Sequence, residues 1–174
     1  KTMQKLGKIK IDRSKQYKVQ HDTGFEIALK LKSQKNDLIF DFTGSSSVLS
    51  SNFNLTPSIV KSAVLYCLRC LLRDDLPLNA GILKSIHIAL EPHSMLNPQK
   101  LGDGSYPAVV AGNVESSQLL CDVILEALGV CAHSQGTMNN VTFGKNKASD
   151  ISEAFGYYET IGGGGGGNIF GPGI

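Results

Sequence analysis

The strongest constraint on the fold is a strict alternation of apolar and polar side chains between residues 25 and 32. The apolar positions are Phe25, Ile27, Leu29 and Leu31, and the positions between them are Glu26, Ala28, Lys30 and Lys32. A period of two is the signature of a half-buried β-strand. Residues 17–22 and 37–42 also have strand-like sequences, and short turns at 23–24 and 35–37 join all three segments. Because short turns favour antiparallel neighbours, the first quarter of the chain predicts an antiparallel sheet.

Two helices are predicted further along the chain. Thr56 is a suitable N-cap and Pro57 suits the first helical position, so a helix is expected from there. The run that follows is apolar on most of its circumference, so we expect burial on more than one side. A second helix is predicted over residues 114–128, with Gly129 as its C-cap. Its expected core stripe is Leu120, Val123, Ile124, Ala127 and Leu128, and its expected outward side chains are Glu115, Asp122 and Glu126.

The remaining segments complete the predicted architecture. A strand is expected over residues 84–90, and two more over 141–143 and 155–161. The polar stretch 43–54 is expected to be a surface loop, as is the stretch after 143 up to residue 152. The order strands, helix, strand, helix, strands predicts an α+β fold with a mostly antiparallel sheet layered with two main helices. We expect a basic, partly disordered lead-in at 1–16 and a single domain over 17–174.

Composition excludes several classes of protein. The formal net charge of +2 argues against a nucleic-acid binder, which normally carries a strongly basic face. No apolar run approaches the roughly 20 residues needed to cross a bilayer. The sequence starts at Lys1 without an initiator Met and stops directly after a glycine-rich run. We therefore expect a segment of a larger protein that has no nucleic-acid or membrane partner.

The chain has four cysteines, and two of them, Cys67 and Cys70, form a C-x-x-C pair. Such a pair can serve zinc or redox chemistry. Here it lies in the middle of a predicted helix, whereas structural zinc sites place it in a turn near a second pair. We therefore expect Cys67, Cys70, Cys121 and Cys131 to be buried free thiols that behave as small hydrophobes. Reduced thiols without a secretory signal point to the cytoplasm.

Three polar or glycine-rich stretches are the candidates for chemistry. Residues 111–118 place Asn, Glu, Ser and Gln around a helix start, where free N–H groups favour an anion, unless Asn113 simply caps the helix. Residues 134–140 offer many amide donors and acceptors, either to a substrate or as an ordinary loop. His133 beside them is either an acid–base group or structural. The glycine run 162–167 lacks a P-loop ending, and it either approaches a ligand closely or forms a flexible linker.

The same stretches resemble the hydantoinase B/oxoprolinase family. Residues 111–118 (AGNVESSQ) resemble its A-G-N-V-E-T-S-Q, residues 134–144 (SQGTMNNVTFG) its S-Q-G-T-M-N-N-x-T-F-G, and residues 157–163 (YYETIGG) its Y-Y-E-T-I-x-G-G. Residues 41–46, 63–70 and 77–81 also match, in the family's order. The resemblance extends from about Tyr17 to the end of the chain.

The resemblance implies a role in ATP-driven opening of a cyclic amide. A hydantoinase A-type subunit or domain would use ATP and Mg²⁺ to phosphorylate the ring's carbonyl oxygen, and the B part would carry the activated ring to hydrolysis. No cofactor is expected on this chain. The family's His- and Asp-rich segment, associated with a divalent metal, has no counterpart here and is expected in an N-terminal part outside this sequence. The isolated chain is therefore expected to be inactive.

The resemblance also suggests site residues. Glu115 and Glu159 are expected to be catalytic carboxylates that orient water or the ring nitrogen. Amides are expected to hold the carbonyl and carboxylate oxygens of the substrate, namely Asn113, Gln118, Gln135, Asn139 and Asn140. Two alternatives stay open: a non-catalytic assembly module whose glycine-rich segment docks the ATP-using partner, and part of a ketone carboxylase subunit. The sequence leaves open whether the substrate is 5-oxoproline, a hydantoin or a ketone.

Overall fold

Four strands form one sheet in the order β1-β2-β3-β4. The computed structural model describes residues 15–34, 37–72, 80–146 and 154–174. The strands are β1 (Tyr17–Gln20), β2 (Glu26–Gln34), β3 (Asp37–Asp41) and β4 (Ile86–Ala89). The pairs β1/β2 and β2/β3 are antiparallel, and β3/β4 is parallel. The predicted α+β class with a mostly antiparallel sheet is confirmed, and the parallel pair requires the long crossover that contains the first helix.

Two helices and a separate hairpin follow. Helix α1 spans Pro57–Leu72 and begins at the predicted proline, while α2 spans Ser116–Ala127. Short 3-10 helices, Ala80–Ser85 and Val110–Asn113, precede β4 and α2 respectively. Strands β5 (Asn140–Lys145) and β6 (Phe155–Thr160) pair with each other in antiparallel register and form a separate two-stranded sheet among the described residues.

Gly129 ends α2 as predicted. Its φ is +67°, a left-handed conformation that costs glycine little. The Gly129 N–H donates to the Glu126 carbonyl at 2.9 Å, and the Val130 N–H donates to the Leu125 carbonyl at 2.9 Å. These two bonds are those of a Schellman motif, which satisfies carbonyls left free at a helix end. The chain therefore turns sharply here and enters the 131–140 segment.

One apolar core joins the sheet to both helices. Helix α2 packs against β1 and β2 on one side and against α1 on the other. The apolar face of β2 is fully buried, as its period predicted, and the predicted stripe of α2 is buried against it. Burial of each such side chain contributes about 1.5–3 kcal/mol relative to exposure. This core fixes the orientation of the two helices, and their outer faces become the framework of the site described below.

Two sequence expectations are wrong in detail. Helix α1 buries only one stripe (Val60, Ala63, Val64, Cys67, Leu68 and Leu72), because it packs against α2 on one side, and Tyr66 is left 58% exposed. In the stretch predicted as a surface loop, Ser45 and Asn54 are buried. The Asn54 amide donates to the carbonyls of Leu49 and Ala108 at 3.0 and 2.9 Å, and so ties two loops together. The lead-in at 1–14 and the predicted loop at 147–152 lie outside the described residues.

Candidate functional site

A groove of about 710 Å³ runs between α1, α2 and the glycine-rich segment near the end of the chain. Tyr66 lines it from the exposed side of α1, Gln118 and Cys121 line it from α2, and Gly166 and Asn168 line it from the glycine-rich segment. The groove can form beside α1 because the core covers only one side of this helix and leaves the side with Tyr66 open. Its lining mixes amide, hydroxyl and thiol groups with apolar side chains, a composition typical of small-molecule sites.

Helix α2 presents a polar stripe to this groove. Ser117, Gln118, Cys121 and Asp122 all line the groove, and their spacing places them on adjacent positions of one helix face. The prediction that Asp122 faces outward is wrong, since only 6% of this residue is exposed. The spacing of these four residues on one face of the helix was the signal that could have located the groove.

The Asp122 carboxylate is held by the segment that follows α2. Its Oδ1 accepts a hydrogen bond from the Ser134 N–H at 3.1 Å, and its Oδ2 accepts one from the Ser134 hydroxyl at 2.9 Å. The Ser134 Oγ in turn accepts from the Gly136 N–H at 3.1 Å. A buried carboxylate is costly unless it is hydrogen-bonded, so these bonds compensate its burial and fix the turn at residues 134–136.

The start of α2 differs from the sequence expectation. Asn113 does not cap the helix: it ends the preceding 3-10 helix, and Glu115 occupies the N-cap position without a capping side-chain hydrogen bond. The buried Ser116 hydroxyl donates to the Phe53 carbonyl at 2.6 Å. Gly112 lies so close to the neighbouring loop that an added Cβ would be 2.0 Å from the Asn54 carbonyl oxygen. This anchoring leaves the Asn113 side chain exposed at the groove.

Glu115 connects the first motif to the second. Its Oε1 accepts a hydrogen bond from the Thr137 hydroxyl at 2.8 Å. The Thr137 Oγ1 also accepts from the Asn139 N–H at 3.2 Å, and Asn139 adopts a left-handed φ of +48°. Non-glycine residues adopt this conformation uncommonly, and asparagine is among those that tolerate it. Thr137 thus holds Glu115 and the turn at Asn139 together.

The hairpin places the predicted site residues Asn140 and Glu159 on opposite faces. Asn140 Oδ1 accepts hydrogen bonds from the Tyr158 hydroxyl at 2.9 Å and the Thr160 hydroxyl at 2.8 Å. On the other face the Tyr157 hydroxyl donates to the Glu159 carboxylate. That bond raises the pKa of Tyr157, because ionisation of the phenol would place two negative charges together. Strand alternation predicted that Tyr158 and Glu159 diverge, and this is confirmed.

The glycine run is a packed wall of the groove. The Ala132 N–H donates to the Gly167 carbonyl at 2.9 Å, and Gln135 exchanges two hydrogen bonds of 3.3 Å with Gly164. A Cβ on Gly166 would lie 1.8 Å from the Ala132 carbonyl oxygen. The run therefore packs against other parts of this chain, and its close approach to a ligand stays a prediction. Within the described residues, the Gly166 N–H donates no hydrogen bond.

The seven predicted site residues fall into four places. Asn113 and Gln118 line the groove. Glu115 and Asn139 lie on the Thr137 network, and Gln135 binds the glycine run. Asn140 and Glu159 belong to the hairpin, as described above. His133 is half-buried with its Nε2 2.8 Å from a carboxylate oxygen of Glu126, a contact that favours its structural role. Among the groove residues that sequence reasoning missed are Tyr66, Cys121, Asp122 and Asn168.

Two further observations concern only the described part of the chain. No cluster of three or more His, Cys, Asp or Glu side chains is arranged to hold a metal ion among residues 15–34, 37–72, 80–146 and 154–174. In the same ranges, none of the helices combines the length and the apolar character that a membrane span requires. Of the thiols, Cys67 is buried as predicted, but Cys70 is exposed, and Cys121 and Cys131 are partly exposed.

Comparison with known proteins places these motifs in context. A family model described as hydantoinase B/oxoprolinase matches residues 2–174. The chain is 46% identical over 145 residues to 5-oxoprolinase 1 of Arabidopsis thaliana, covering 82% of this chain and 10% of that protein. It is 45% identical over 152 residues to the 5-oxoprolinase of Saccharomyces cerevisiae, covering 83% and 11%.

A more distant relative is an uncharacterized protein of Methanocaldococcus jannaschii, 34% identical over 150 residues, covering 82% of this chain and 24% of that protein. The chain thus spans about a tenth of the length of the two 5-oxoprolinases. No solved structure matches it.

Proposed function

Because the chain belongs to the hydantoinase B/oxoprolinase family, we propose that it forms part of the ring-opening site of an ATP-dependent cyclic amide hydrolase. The names of the Arabidopsis and yeast relatives support 5-oxoproline as the substrate class. The ATP-using partner is a hydantoinase A-type subunit or domain, and ATP and Mg²⁺ are bound there. This chain supplies one wall and several polar groups of the site.

One observation carries the proposal: the motif segments that resemble the family converge although they are far apart in sequence. Residues of the first motif, Ser134 of the second and the glycine run line one groove. Hydrogen bonds then join the first motif to the second, and the second to the third, through Thr137 and Asn140.

The groups in and beside the groove suit a cyclic amide whose carbonyl oxygen has been phosphorylated. Phosphorylation turns that oxygen into a leaving group, so what remains is to hold the ring and to direct one water molecule. Asn113 and Gln118 provide amide donors and acceptors for ring and carboxylate oxygens. The Gly166 N–H is a further donor on the groove wall. Of the two predicted carboxylates, Glu115 lies only two residues after the groove residue Asn113. We assign it the role of orienting water, with its carboxylate held by the hydrogen bond from the Thr137 hydroxyl.

The test uses the longer protein together with its ATP-using partner. Gln118→Ala removes one groove amide, and Lys100→Ala, at an exposed position, is the control. Loss of one hydrogen bond to the bound ring lowers kcat/KM for 5-oxoproline about tenfold, because such a bond contributes about 1.5 kcal/mol. The control retains normal turnover. Unchanged kcat/KM for Gln118→Ala in an intact complex would remove the groove from the reaction.

The hairpin supports a second candidate function, docking of the ATP-using partner. Phe143, Phe155 and Tyr157 form a ring cluster with centroid distances of 6.3 and 4.8 Å, and each is at least 44% exposed. Val141, 37% exposed, extends the same face. An isolated two-stranded hairpin is marginally stable in water, so a partner that covers this face would also stabilise it.

The two candidates give different results for one variant. Phe143→Ser reduces co-purification with the partner subunit if the hairpin face is a docking surface. Its turnover per assembled complex then stays normal. Gln118→Ala gives the opposite pattern, with normal co-purification and reduced turnover. Normal co-purification of Phe143→Ser at limiting partner concentration would exclude docking through this face.

A further inference from the structure

A pair of cysteines joins α1 to α2 directly beside the groove. Cys67 on α1 is fully buried, and its Sγ lies 3.8 Å from the carbonyl oxygen of Cys121 on α2. This contact places the two cysteines next to each other where α1 packs against α2. Cys121 is partly exposed and lines the groove, so small solutes reach it from solvent. Neither thiol has a part in the ring-opening chemistry proposed above.

We propose that Cys67 and Cys121 are a peroxide-sensitive dithiol pair that oxidises to a disulfide bridging α1 and α2. The pair combines the two elements that such a site needs, which are an accessible thiol and a second cysteine on the facing helix, whose sulfur lies 3.8 Å from the carbonyl oxygen of the first. This site does not depend on the proposed hydrolase activity.

The two thiols differ in exposure, and this difference assigns their roles: Cys121 lines the groove and is partly exposed, whereas Cys67 is fully buried. The hydrogen bond from Cys67 lowers the pKa of Cys121, although burial and the nearby Asp122 carboxylate oppose this effect. The same bond, together with burial, raises the pKa of Cys67. Because the thiolate is the nucleophile, Cys121 is the thiol that reacts with peroxide, and Cys67 is the resolving thiol.

The chemistry balances with hydrogen peroxide as the oxidant. The Cys121 thiolate attacks one peroxide oxygen and the O–O bond breaks. The products are a sulfenic acid and a hydroxide, which takes up the proton that Cys121 released. The Cys67 sulfur then attacks the sulfenic sulfur, the S–O bond breaks, and the hydroxide leaves as water with the Cys67 proton. Two thiols and one hydrogen peroxide thus give one disulfide and two waters, with two electrons transferred.

The consequence for the protein is a covalent link between two walls of the groove. Helices α1 and α2 both line it, and Cys121 itself contributes a groove-facing sulfur. Oxidation therefore fixes the separation of the helices at this point and removes a polarisable thiol from the lining. A reductant such as a small-molecule thiol reverses the change by thiol–disulfide exchange.

The test is disulfide mapping of the chain after titration with hydrogen peroxide. Cleavage after Arg69 separates Cys67 from Cys70, and cleavage after Glu126 separates Cys121 from Cys131. We expect a cross-linked peptide that contains Cys67 and Cys121. Cys121→Ser abolishes it, whereas Cys70→Ser, at the exposed cysteine of the same helix, leaves its yield unchanged.

A second measurement keeps the test valid if substitution of a buried thiol prevents folding. A cyclic 1,3-dione that traps sulfenic acids is added to the unmodified protein during oxidation. It labels Cys121 and lowers the yield of the Cys67–Cys121 disulfide in proportion. Labelling of Cys131 or Cys70 in preference to Cys121, or a disulfide that pairs Cys67 with another cysteine, would overturn the proposal.

Discussion

Gly166→Ala tests whether the glycine run is a packed wall of the groove. The added Cβ would lie 1.8 Å from the Ala132 carbonyl oxygen and 2.4 Å from its carbon, both backbone atoms. Because ordinary carbon contacts lie near 3.5 Å, the two segments must separate by about 1.5 Å. Gly162→Ala is the matched control, since its Cβ would meet nothing within 4 Å and lies in the same run.

The free energy of this separation can be worked out from the hydrogen bonds that it breaks. The Ala132 N–H to Gly167 carbonyl bond and the two bonds between Gln135 and Gly164 join the segments. At about 0.5–1.5 kcal/mol each, with the exposed pair at the lower end, their loss amounts to roughly 2 kcal/mol. The glycine run lies outside the apolar core, so this free energy appears as local opening and not as global unfolding.

Amide hydrogen exchange measures that opening directly. A local opening that becomes easier by about 2 kcal/mol accelerates exchange roughly thirtyfold. We expect this acceleration at the Ala132 and Gln135 amides in Gly166→Ala, with unchanged protection in the core strand β2. The Gly162→Ala protein exchanges like the unmodified chain. Equal exchange in the two variants would refute the close packing of the glycine run.

Three further variants probe the surroundings of the site and the sheet. Gly112→Ala places a Cβ 2.0 Å from a backbone carbonyl oxygen and should lower the free energy of unfolding by about 3 kcal/mol in urea titrations, whereas Gly102→Ala, in open space, should change it little. Asp122→Ala should destabilise the protein by about 2 kcal/mol and Ser134→Ala by less, because the Ser134 N–H bond to the carboxylate survives; equal losses in thermal unfolding would contradict this. Burial raises the pKa of Asp41, but hydrogen bonds from a cross-strand lysine and a threonine outweigh it and leave the pKa below its ordinary value of 3.8. The stability that this carboxylate contributes is therefore complete above about pH 4 and is lost as the pH falls through the folded value, a loss that Asp41→Asn should remove from the acid-unfolding curve.

Local periodicity accounts for what the sequence could predict. The alternation in β2 gives its buried face, Pro57 gives the start of α1, and Gly129 gives the end of α2. Each of these features depends on residues within a few positions of one another. The order of the strands and helices along the chain then predicts the fold class.

Non-local pairing accounts for what the sequence left out. The parallel alignment of β3 with β4 joins segments separated by a whole helix, and no periodicity specifies it. Asp122 was expected to face solvent because a charged residue on a helix usually does. Its burial depends on Ser134, which contacts Asp122 only because the chain turns at Gly129 and runs back past α2. The predicted site residues stay a prediction, and their division between groove, Thr137 network, glycine run and hairpin could be read only from the three-dimensional arrangement.

The groove and the core are built by different parts of the chain, and this separation has a functional consequence. The core consists of side chains from the sheet and from the inner faces of the helices, whereas the groove is lined by polar helix positions and by a glycine run held by backbone hydrogen bonds. A substitution at an exposed groove position such as Asn113 should therefore change the lining with little effect on stability, whereas Asp122→Ala changes both. Cys121 also belongs to both, because it lines the groove while its carbonyl oxygen lies 3.8 Å from the Cys67 Sγ in the core. A change at that position reaches both, which is why oxidation there would alter the site without unfolding the domain.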